Sequence, residues 1–80
     1  MEAVNLVEKF KLFSDLWSPK IVGELNENHI KLAKFKGEFI WHKHDKEDEL
    51  FLVISGQLTI KLRERDIHLS AGEFLSFPKG

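Results

Sequence analysis

After Pro19 the apolar residues of this chain recur every second position, and that period restricts it to strands. Leu58, Ile60 and Leu62 alternate with Thr59, Lys61 and Arg63. Successive side chains of a strand point to opposite faces, so one face here is buried and the other wet. Lys20–Leu25 and His29–Phe35 read as strands joined by Asn26-Glu27-Asn28, a hairpin-type turn. Gly37 interrupts, and Phe39–His44 resumes. Asp45–Asp48 is a charged loop, Glu49–Ile54 an apolar strand, and Ser55-Gly56 a turn. Glu64–Asp66 turns again, Ile67 and Leu69 form a short strand, Ala71-Gly72 turns, and Phe74–Phe77 is the last strand. Short strands with frequent turns predict an all-β sandwich or barrel.

Ahead of Pro19 the period differs. Asn5 followed by Glu8 has the form of a capping box, and Leu6, Phe10, Phe13 and Trp17 follow at helical spacing. A short helix from about Leu6 to Phe13 is expected. It should end near Ser14-Asp15, the alternative being an irregular apolar segment lying on the rest of the fold, and Ser18-Pro19 stops whatever precedes it, because the residue before proline is pushed out of the helical region.

The 80 residues allow one domain at most, with a core too small to be more than marginal without a metal or a partner. There is no cysteine, which excludes disulfides and thiolate metal sites and fits a reducing, cytoplasmic setting. Charged residues interrupt the N-terminal segment, so a signal peptide or membrane span is not expected. The net charge of −1, with both signs interspersed, lacks the basic footprint of a nucleic-acid binder.

The chemistry concentrates in Trp41–Gln57, WHKHDKEDELFLVISGQ. On a strand His42 and His44 share a face, with Cα atoms roughly 6.5–7 Å apart. Two imidazoles at that spacing can converge on one ion, with bonds of about 2.0–2.1 Å. The charged loop returns the chain, so Glu49 can reach the same point from the next strand. Two histidines and a carboxylate suit Fe, Mn, Co, Ni or Zn and leave positions open. The same His-x-His pair beside Asp and Lys is also what a solvated turn contains.

Parity extends the reading. With His42 and His44 inward, Ile40 faces inward too, and Phe39 and Trp41 face out. With Glu49 inward, Phe51 and Val53 follow it, and Leu50, Leu52 and Ile54 face out. Such an outer face needs a cover. The candidates are the N-terminal segment with Phe10, Phe13 and Trp17, or a second subunit; a bulge that changes the parity is the alternative. His29 is expected in solvent after its turn, and His68, opposite in parity to Ile67 and Leu69, faces out. Lys31, Lys34 and Lys36 read as a solvated rim.

His42-x-His44, four residues, Glu49, six residues and Gly56 resemble the first motif of the cupin superfamily, and Gly72, five residues, Pro78-x-Gly80 resembles the opening of the second. FSDLWSPKIVGELN and LAKFKGEFIWHKHDKEDELFLVISGQLTI look like the small single-domain bacterial cupins often labelled mannose-6-phosphate isomerase-like. The resemblance covers nearly the whole chain. It implies one domain over residues 1–80: a covering segment over 1–18, then the strands of an antiparallel jelly-roll barrel over 20–80. It implies metal-ligand roles for His42, His44 and Glu49, and a homodimer. Gly37 stands one residue closer to His42 than the motif asks. The second motif's histidine, a fourth ligand, and the closing strands lie beyond Gly80 in the family pattern, so the sequence reads as a cupin shortened at its C-terminus. Unpaired strand edges would then favour strand exchange or edge pairing between copies. Isomerase, dioxygenase and non-catalytic binding roles all remain open, and no substrate, catalytic residue or organic cofactor is nominated.

Overall fold

A computed structural model describes residues 1–41 and 48–78. Among the described residues one helix and seven strands follow in order: α1 (Leu6–Phe10), β1 (Lys20–Leu25), β2 (Asn28–Leu32), β3 (Glu38–Ile40), β4 (Glu49–Leu52), β5 (Gln57–Lys61), β6 (Asp66–Ser70) and β7 (Phe74–Phe77). They fall into two compact units, residues 1–36 and 37–80.

In the first unit Asn5 caps α1, its side-chain oxygen accepting from the Glu8 backbone N–H at 3.0 Å. The helix ends at Phe10, not Phe13. Lys11 N–H is shared between the carbonyls of Val7 and Glu8, a tightened last turn, and Leu12 is exposed, so no buried contact holds a further turn. β1 and β2 form an antiparallel hairpin with a register shift between Ile21 and Gly23. The turn places Asn26 at φ 56°, a left-handed conformation asparagine tolerates.

β2 stops at Leu32, short of the expected Phe35. The segment beyond it is held by the N-terminal chain instead: Trp17 N–H donates to the Lys34 carbonyl at 2.9 Å, and the Trp17 and Phe35 rings lie 4.7 Å apart. Lys34 is accordingly not a solvated rim residue. Its ammonium donates to the Phe13 carbonyl and sits 4.9 Å from the Phe13 ring centre. Phe10 pairs with Phe13 at 5.9 Å.

Lys20 donates to the Asp15 carboxylate at 2.8 Å, and that hydrogen bond holds Asp15 below the usual carboxylate pKa. A depressed folded-state pKa gives stabilisation that is present above the ordinary carboxyl range and lost as pH falls through the lowered value. Replacing Lys20 by alanine should therefore move the Asp15 titration midpoint upward, read by NMR of the carboxyl group.

The second unit carries the clean alternation. β5 and β6 pair antiparallel without a break, Leu58 opposite Leu69 and Ile60 opposite Ile67. Leu58, Ile60 and Leu69 are buried, while His68 is exposed on the other face and bonds Thr59 Oγ1 through Nδ1 at 2.9 Å. β3 joins the far edge of β5, and it runs parallel: Glu38, Phe39 and Ile40 stand beside Thr59, Ile60 and Lys61. The expectation of a purely antiparallel structure is corrected on this point. β4 and β7 form a second antiparallel pair, extended by Val53 N–H to the Glu73 carbonyl at 2.9 Å and Gly72 N–H to the Val53 carbonyl at 2.8 Å.

Gly56, in the turn before β5, has φ 76° with nothing within 4 Å of the place a Cβ would take. The left-handed backbone, not space, demands glycine there. Gly56→Ala should cost about 1–2 kcal/mol, measured by urea unfolding.

The two sheets of this unit meet through four rings. Phe39 lies 5.2 Å from Phe51, Trp41 stacks on Phe77 at 4.0 Å, and Phe51 meets Trp41 and Phe77 edge-on at 5.7 and 5.6 Å. This corrects the expected parity of β3. Phe39 and Trp41 face the rings of β4 and β7, and Ile40 is turned away, 62% exposed. Three apolar residues in a row leave the choice of face to packing, and two aromatic side chains bury far more area than one isoleucine. β4 keeps its expected parity: Phe51 and Val53 face inward, whereas Leu50, Leu52 and Ile54 are exposed and Phe74, opposite Leu52, is 61% exposed.

Candidate metal-type site on β4

Glu49 opens β4 directly opposite Phe77, so its side chain stands on the face that carries Phe51. It is half-buried there. His42 and His44 lie outside the described residues, and so does most of the charged loop between them and Glu49. Among the described residues no three His, Asp or Glu side chains gather in a way that could hold an ion.

His29 stands across the hairpin from Glu24, 3.8 Å from its carboxylate and exposed, and His68 is fixed to Thr59 by an unbroken register. A bulge that would turn His68 inward is thereby excluded.

A carboxylate at the head of an apolar strand, partly withdrawn from water against a wall of rings, fits a hard or borderline cation as one of several donors. Glu49 meets that requirement. The neighbouring strand raises a geometric condition. Strict alternation from Ile40 would carry His42 and His44 to the side away from Glu49, so convergence requires the chain to change parity after Trp41. Trp41 itself still keeps to the ladder, its N–H donating to the Lys61 carbonyl at 3.1 Å.

Alternation alone does not disclose an open groove of about 540 Å³ on the outer side of this unit, lined by Glu38, Ile40, Trp41, Lys61, Leu62 and Arg63. Lys61 lies 3.5 Å from Glu38 and 3.8 Å from Asp66. The outward position of Ile40 creates the groove, and the sequence signal for it is the pairing of Ile40 with a charged strand face.

A mainly-β chain with one short helix and a carboxylate set against a ring-lined strand is the class of protein these features define. Comparison then gives the family. The Cupin domain pattern matches residues 29–80. The structure superposes with a TM-score of 0.90 on the crystal structure of a cupin-2 domain containing protein from Shewanella frigidimarina, at 45% identity, covering 96% of this chain and 76% of that one. The uncharacterized protein YdbB of Bacillus subtilis is 40% identical over 60 residues, 74% of this chain and 53% of its own length. This chain belongs to the cupin family, and its fold is the all-β cupin fold. It spans about half the length of the curated relative it matches. No helix among the described residues is long and apolar enough to cross a membrane.

Proposed function

We propose that this chain is a small bacterial cupin that binds or transforms a small molecule at a divalent transition-metal site formed by His42, His44 and Glu49. The observation that carries the reading is the position of Glu49: it heads β4, half-buried, on the side that holds Phe51 and Phe77. The family match supports it, because the His-x-His and Glu spacing falls inside residues 29–80. A bound Fe, Mn, Ni, Co or Zn would act as a Lewis acid or bind a small-molecule donor. The match also runs across the boundary at Gly37, which supports treating residues 1–80 as one cupin domain. We place the protein in the cytoplasm, without nucleic-acid or membrane partners.

The test is elemental analysis of the purified protein, beside a His42→Ala/His44→Ala variant. Stoichiometric transition metal in the parent and its loss in the variant support the reading. Equal metal in both rejects the site.

A second reading has its own observation. Ile40 faces out, which under strict alternation separates the histidines from Glu49. A cupin that holds a small molecule without a metal, or a degenerate one, satisfies that geometry. Self-association is the third element of the proposal: Leu50 (58% exposed), Leu52 and Phe74 share the outer face of the β4–β7 pair and suit burial in a homodimer or a strand-exchanged oligomer. Sedimentation of the parent and of Leu50→Ser/Leu52→Ser should show a dimer in the first and a lighter species in the second.

A further inference from the structure

We propose that the outer groove of the second unit is a binding site for a monocarboxylate with an apolar body, held through Arg63. The groove lies on the outer side of the β3–β5–β6 sheet, so this site does not depend on the metal reading above.

The register sets the charge of the groove. Ile40 stands beside Lys61, and Lys61 opposite Asp66. The Lys61 ammonium is divided between Glu38 at 3.5 Å and Asp66 at 3.8 Å. Of the described acids only Glu38 lines the groove, and that contact already balances it. Arg63 differs. β5 ends at Lys61, and Leu62 N–H donates to the Arg65 carbonyl at 2.9 Å, a tight turn that keeps Arg63 at the groove. Among the described residues its guanidinium has no ion pair or hydrogen bond. One uncompensated positive charge therefore lines the groove.

The rest of the lining is apolar. Ile40 is 62% exposed there, and Trp41 and Leu62, each half-buried, line it too. The volume of about 540 Å³ falls within the roughly 300–1,000 Å³ of small-molecule clefts. A carboxylate accepts two parallel N–H bonds from a guanidinium, a fit that the point charge of a lysine does not offer. An ion pair in open water contributes little by itself. The ligand therefore also needs an apolar body that covers Ile40. An uncharged molecule would leave the Arg63 fork unused, and a second negative charge would stand near Glu38, whose partner Lys61 is already shared.

The whole chain, labelled with ¹⁵N, stripped of metal by chelator and dialysed, is titrated with 1-naphthoate and separately with 1-naphthamide, its uncharged counterpart. The expected result is saturable movement of the Ile40, Leu62 and Arg63 N–H signals with naphthoate, and binding about tenfold weaker with naphthamide. Arg63→Gln should lower naphthoate to the affinity of naphthamide and leave naphthamide unchanged. Its urea midpoint should equal the parent's, because Arg63 is exposed. Arg63→Lys, which keeps the charge and loses the fork, should fall between the two. Ile40→Ser should weaken both ligands alike. Absence of saturable shifts at these residues overturns the proposal, as does naphthamide binding as tightly as naphthoate, or a preference for naphthoate that survives in Arg63→Gln. Adding Ni²⁺ to the stripped protein should leave the affinity for naphthoate unchanged. Naphthoate that binds only with Ni²⁺ present sits on the metal, which overturns this inference and leaves the metal site standing.

Discussion

Replacing Ile60 by alanine should destabilise the protein by about 2–5 kcal/mol, read as a large fall in the urea midpoint. Ile60 is the one side chain fully buried among the described residues, at 0% exposure. It sits in the middle of β5, opposite Ile67 on one side and beside Phe39 on the other, so three strands share its contacts. Truncation removes apolar area and leaves a hole that short paired strands cannot close by shifting. A domain of this size has a total stability of roughly 4–12 kcal/mol, so the loss is a large fraction of it. Ile40→Ala is the matched control. It removes the same atoms from the same sheet at a residue 62% exposed, and its cost should lie within about 0.5 kcal/mol of zero. Urea unfolding of the two variants checks both numbers. A small effect at Ile60 would mean that the β3–β5–β6 sheet does not carry the core.

Ile60 is legible in the sequence because its strand alternates without ambiguity: every even residue from Leu58 to Leu62 is apolar, every odd one polar or charged. β3 is not. Phe39, Ile40 and Trp41 are apolar at both parities, so pattern cannot say which face is inside, and the deciding contacts come from Phe51 and Phe77, ten and more residues away. β4 is equally apolar on both faces, yet its parity is readable, because Glu49 at its head fixes it. The cap locates the helix but not its end, since capping is local and the burial that would sustain Leu12 is not. Lys34 has the pattern of a solvent residue because nothing in sequence shows that Phe13 offers it both a carbonyl and a ring. Of the candidate site, spacing discloses the ligand types and the family. The geometry at Glu49 is legible too, whereas the histidines' side of the strand depends on the path of the chain past Trp41.

That dependence makes Glu49→Gln the most informative single change. If His42, His44 and Glu49 hold a metal, the amide keeps the shape and the hydrogen-bonding capacity but removes the negative charge the cation needs. Losing a direct ligand should lower metal affinity by more than the roughly 10–100-fold that accompanies loss of an outer-shell partner. Metal at 100 times its dissociation constant stabilises a folded protein by about 2.7 kcal/mol. For a domain of this size, each kcal/mol moves Tm by about 4–8 °C. Saturating Ni²⁺ should therefore raise the parent's Tm by roughly 10–20 °C and leave that of Glu49→Gln almost unmoved. A metal-induced shift that survives in Glu49→Gln but disappears in His42→Ala/His44→Ala would put the histidines at an ion without the carboxylate. That outcome is expected if the strand keeps its alternation from Ile40 and carries both imidazoles to the outer face, where Glu38 is the nearest acid on β3. Scanning calorimetry of the three proteins, each with Ni²⁺ and with chelator, decides between one face of the strand and the other.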